Sequence, residues 1–91
     1  MSAMIDHYRL SIHTKEQLTR RHIEVFYIEE VLKHPDFVHI DSECVHVYQK
    51  LMHEGESKYL LRIFLNICKT PALVITVYKT SKLSKYEDNL R

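Results

Sequence analysis

A single glycine and two prolines stand among the 91 residues, and each scarcity excludes something. One glycine cannot build a glycine-rich phosphate loop, nor the strained elbow that presents a nucleophilic serine. So few chain breakers leave little room for long linkers or disorder. No apolar run reaches the roughly 18 residues that a membrane span needs. The opening residues, MSAMIDHYRL, carry Asp6 and His7 where a secretory leader is unbroken and apolar. Charge of one sign is missing too: the net charge is +1, without the basic footprint of a dedicated nucleic-acid binder. Cys44 and Cys68 are the only cysteines, and both lie in apolar surroundings, where cysteine behaves as a small hydrophobe. Without a leader they predict reduced thiols and a cytoplasmic protein. Histidine is frequent, at seven residues, yet His34 to His39 and His46 to His53 lack a second ligand pair at zinc-site spacing. No metal or other cofactor is therefore assigned.

What is present suffices for one domain over residues 1–91, since 45% hydrophobic residues can fill a single small core. Residues 8–12, YRLSI, alternate polar and apolar and predict a short first strand. Thr14 to Gln17 fit a capping box, which predicts a helix over 14–21 anchored by Leu18. Ile23-Glu24-Val25 then bends the chain into a second helix over 26–33, with Tyr27, Ile28, Val31 and Leu32 as its buried stripe. Pro35 stops that helix, because the residue before a proline is pushed out of helical geometry. His34 suits the negative end of the helix dipole.

The tripeptide His34-Pro35-Asp36 resembles the Hsp70-contacting loop of J-domain co-chaperones. A J-domain needs another helix after it, whereas FVHI and CVHVYQKLM read as strands. From Val45 onward the pattern predicts a three-stranded meander over 45–52, 58–67 and 72–80, turning at HEGES and at Lys69-Thr70-Pro71. The tail, SKLSKYEDNLR, suits either a short helix capped by Ser81 or a loose end.

Alternation assigns side chains to faces once register is known. Odd positions Tyr59, Leu61, Ile63, Leu65 and Ile67 match Leu73, Ile75 and Val77, and Val45, Val47 and Leu51, as one apolar face for the helices to cover. Hairpin turns of about five to seven residues would then set Tyr48, Arg62 and Thr76 in one row of the second face, with Lys50 and Tyr78 flanking Leu60. Cations and phenols on a partly apolar surface suit phosphate and base contacts. The same pattern also describes a half-solvated sheet with no ligand.

Further residues form an ordered series. His13, Arg21, Ile23, Val31-Leu32, Pro35-Asp36, Tyr59-Leu60-Leu61-Arg62-Ile63 and Val74-Ile75-Thr76-Val77-Tyr78 fall in sequence across about residues 8 to 86. The chain resembles an uncharacterised family of small bacterial proteins with H-A-x-x-R-M-x-x-R-x-I, V-x-x-V-L-x-x-P-D and I-I-T-V-Y motifs. That family is more distantly similar to BrnT and RelE/ParE-type toxins. The resemblance implies an α+β, RelE-like fold: a short first strand, two helices, an antiparallel three-stranded meander, and a short C-terminal helix or tail. It also implies kinship with toxin–antitoxin toxins, several of which cleave RNA without a metal. His13 matches the leading histidine and Arg21 the second arginine, while Gln17 stands where the first arginine is usual. Arg62, Tyr78, Lys82 and Tyr86 fall where such proteins are basic or aromatic.

Metal-free RNA cleavage needs a base, an acid and cations around the phosphate. His13 or His46 would supply the base, with Arg21 and Arg62 on phosphate. Tyr48, Lys50, Tyr78, Lys79 and Tyr86 would hold substrate. The expected partners are RNA or the ribosome, a cognate antitoxin protein, or a second copy, with no membrane. The alternative is a non-catalytic protein–protein interaction module, a degenerate toxin homologue.

Overall fold

The computed structural model describes residues 7–83. A five-stranded sheet in the order β1-β5-β4-β3-β2 carries two helices on one face. β1 (Tyr8–Leu10) lies parallel to β5 (Ala72–Thr80), and β2 (Phe37–Ile40), β3 (Val45–Glu54), β4 (Ser57–Asn66) and β5 run antiparallel in succession. The expected RelE-like fold with a three-stranded meander is therefore corrected. The sheet is mixed and open, and strands make up 47% of the described residues against 26% helix. FVHI, read as a strand but left out of the expected meander, joins it as a fourth antiparallel strand. The expected C-terminal helix or tail lies outside the described residues.

α1 (Ile12–Arg21) starts earlier than the Thr14 capping box predicts. Ser11 is the N-cap: its Oγ accepts the Thr14 N–H at 3.0 Å, which satisfies one of the helix's orphan donors. The helix stops at His22, whose φ of 56° puts a non-glycine residue in the left-handed region. His22 donates to the Thr19 carbonyl and Ile23 to that of Leu18, the paired closing bonds of a Schellman motif. α2 (Val25–Lys33) buries Ile28, Val31 and Leu32. It ends at His34, one residue before Pro35, as the sequence predicts.

Side chains cap the stretches of β5 and β3 that the short strands β1 and β2 leave uncovered. β5 carries a bulge at Ile75, where the register with β4 shifts between Phe64 and Leu65. There the inner face of α1 supplies the missing partners. The Thr14 hydroxyl donates to the Val74 carbonyl at 3.0 Å, and Gln17 Oε1 accepts both the Val77 N–H at 2.9 Å and the Thr76 hydroxyl at 3.0 Å. On the opposite edge, Asp36 Oδ2 accepts the Leu51 N–H at 2.9 Å, just past the end of β2. The His-Pro-Asp tripeptide thus ends a helix and caps a strand.

The core beneath the helices contains Leu18, Ile28, Val31, Leu32, Leu61, Ile63, Leu65, Val74 and Val77, together with Tyr48 and Met52. The last two overturn the expected parity of β3. Its turn to β4 is only two residues long: Glu54 pairs Ser57, with Gly55 at a φ of 63° in the first central position. The shorter turn slides the register by one residue, which exchanges the faces of β3. Tyr48 pairs Ile63, and Ile63 pairs Val77, so all three face the helices. Val47, Gln49 and Leu51 take the other side, beside Phe64, Arg62 and Leu60.

Cys44 and Cys68 form a disulfide with Cα atoms 5.2 Å apart, and the Ile67 N–H donates to the Cys44 carbonyl beside it. The expectation of free thiols is corrected, and the argument from cysteine to cytoplasm falls with it. The β2–β3 and β4–β5 turns come together at one end of the sheet, which the sequence spacing does not reveal. Among the described residues no helix is long and apolar enough to cross a membrane.

Candidate binding surface

The proposed ribonuclease set is split across three surfaces. His13 and Arg21 are exposed on α1. His46, Tyr48, Lys50 and Lys79 lie on the helix-covered side of the sheet, in register with Leu65, Ile63, Leu61 and Leu61 respectively. Arg62 and Tyr78 pair with each other on the opposite side. Tyr86 lies outside the described residues.

Tyr48, Lys50 and Lys79 each have a local structural engagement. Tyr48 is a core residue at 4% exposure, and desolvation raises its phenol above the usual range. The Lys50 ammonium donates to the carbonyl of His34 at 2.7 Å and lies 3.7 Å from Asp36, which ties β3 to the end of α2. Lys79 rests over the Tyr59 ring, 4.3 Å from its centroid, and 3.6 Å from Glu54. Burial first, then Glu54, raises the Tyr59 hydroxyl.

On the opposite face the row is Phe37, Gln49, Arg62, Tyr78, not the expected Tyr48, Arg62, Thr76. Arg62 Nε donates to Gln49 Oε1 at 3.0 Å, and the guanidinium stands 5.3 Å from the centroid of Phe64. Gln49 is fully buried, and its Nε2 has no hydrogen-bond partner. Val47 and Leu60 on this face are also without exposed surface. A stacking platform needs open aromatic and apolar area, and the middle of this face is closed. Among the described residues no three His, Cys, Asp or Glu side chains group closely enough to hold a metal ion.

The exposed apolar surface concentrates elsewhere. Ile12 is 75% exposed, Phe26 61% and Val25 52%, and all three belong to the helices. α1 packs on β5 and α2 on β3 and β4, so the helices rest on the sheet more than on each other. Between them lies a cleft of about 500 Å³, lined by Leu10, Leu18, Ile23 and Val25, with Lys15 and Glu24 among its polar members. The exposed Phe26 ring on α2 is held edge-on against Tyr27, with centroids 5.5 Å apart.

Sequence reasoning misses this surface. Ile12 reads as the end of the first strand, and Val25 as part of a bend. The available signal is that Phe26 falls off the Ile28-Val31-Leu32 stripe and so cannot enter the same core. No protein-family model matches the chain, and neither a curated protein nor a solved structure matches it.

Proposed function

We propose that this chain is a non-catalytic protein–protein interaction module whose binding surface is the helical layer. One observation carries the reading: the side chains that metal-free RNA cleavage needs together stand on three separate surfaces. A general base must come within about 3 Å of the proton it takes. Neighbouring residues of a strand point to opposite faces, so one phosphate cannot meet Arg62 and the His46 side at once. Tyr48 and Lys50, on the same face of β3 as His46, are used by the fold itself. The exposed apolar residues on the helices and the cleft between them supply what a partner protein would bury.

The reading is tested by incubating the purified chain with single-stranded RNA and with translating ribosomes. Intact RNA and undiminished translation are expected, with His46→Ala and Arg62→Ala behaving like the parent. RNA cleavage that either substitution abolishes would return the chain to the ribonuclease class.

A further inference from the structure

The two helices carry opposite charge. α1 has Lys15, Arg20 and Arg21 against Glu16, while α2 with its N-cap has Glu24, Glu29 and Glu30 against Lys33. Both are exposed along the same layer, with the apolar cleft at their junction and Phe26 exposed on α2. A surface with basic and acidic halves flanking an apolar seam is complementary to itself after a half-turn, which is the condition for an isologous interface.

We infer that the helical layer docks onto a second copy of this chain. α1 of one copy faces α2 of the other, and each Phe26 enters the cleft of its partner. This rests on the interaction-module reading and names the occupant. Helices of ten and nine residues present a patch only about 15 Å long and 20 Å wide. At roughly 300 Å² per copy the contact lies below the size of stable specific interfaces, so the dimer is a weak, transient one in exchange with monomer.

Sedimentation equilibrium on the full chain from about 10 to 500 µM reads the association directly. A monomer–dimer equilibrium that weakens at high salt is expected, since flanking charges are screened beyond about 10 Å at 0.1 M salt. Phe26→Asp should weaken it at least about tenfold, as loss of a central aromatic anchor does. Ile40→Asp, an equally exposed apolar position at the end of β2, should leave it unchanged. The charge argument has its own readout. A chain carrying Lys15→Glu with Arg20→Glu, and another carrying Glu24→Lys with Glu29→Lys, should each stay monomeric yet form a heterodimer when mixed. A parent chain monomeric at 500 µM, a dimer indifferent to Phe26→Asp, or a mixture that stays monomeric would each overturn the proposal. A monomer that leaves RNA intact removes only the occupant, whereas RNA cleavage removes the module reading itself.

Discussion

Tyr48 illustrates how a single side chain changes role when its face changes. As an outward phenol it suits base stacking, but against Ile63 and Val38 it is core, and desolvation disfavours its ionised form. Tyr8 and Tyr59 are raised in the same direction, again chiefly by burial. The sign of the consequence is definite. Below pH 10 the phenols are protonated in both folded and unfolded chains; above it the unfolded chain releases protons that the folded one retains, so stability falls as pH rises. Alkaline titration followed by circular dichroism should therefore show unfolding that begins above about pH 10. Tyr48→Phe should move that transition to higher pH; an unmoved transition would mean that Tyr48 ionises without unfolding the chain. The burial of Leu61 and Ile63 was readable from alternation alone, because β4 is a central strand with a strict period of two. Tyr48 was not, because its face depended on the length of the turn that joins β3 to β4.

At the scale of elements, the joint between α1 and β5 explains Gln17. Gln17 Oε1 accepts the buried Val77 N–H and the Thr76 hydroxyl, and arginine has no acceptor to offer. Gln17→Ala should cost about 1–3 kcal/mol, the penalty of leaving a buried donor unmet. Gln17→Arg should cost at least as much, whereas Gln17→Glu keeps an acceptor at the site. Urea denaturation of the three variants checks this, and an arginine variant as stable as the parent would refute the joint. The helices themselves were legible to within a few residues, since the stripe of α2 and Pro35 both act locally. The start of α1 was not: Thr14 has a capping hydroxyl, but it spends that hydroxyl on the Val74 carbonyl and Ser11 caps instead. Both residues have the right chemistry, and only the position of β5 selects between them.

For the whole molecule, the disulfide is the one covalent link between distant turns. Cys44 and Cys68 are 24 residues apart and enclose the β3–β4 hairpin. Closing a loop of that length in the unfolded chain corresponds to about 2–4 kcal/mol of stability. Replacing both cysteines by serine, or adding dithiothreitol, should lower the urea midpoint accordingly; an unchanged midpoint would mean that the thiols are not paired. By itself the sequence determined the two helices, the buried stripe of α2 and the inward face of β4, because these follow from periodicities of 3.6 and 2 within one segment. Only the tertiary structure decided which face β3 shows, where β2 and β1 attach, that the cysteines meet, and that the candidate catalytic groups stand apart. Those outcomes depend on register and on contacts between segments far apart in the chain. A one-residue change in a turn reverses the face of β3 while leaving the sequence pattern of every strand intact.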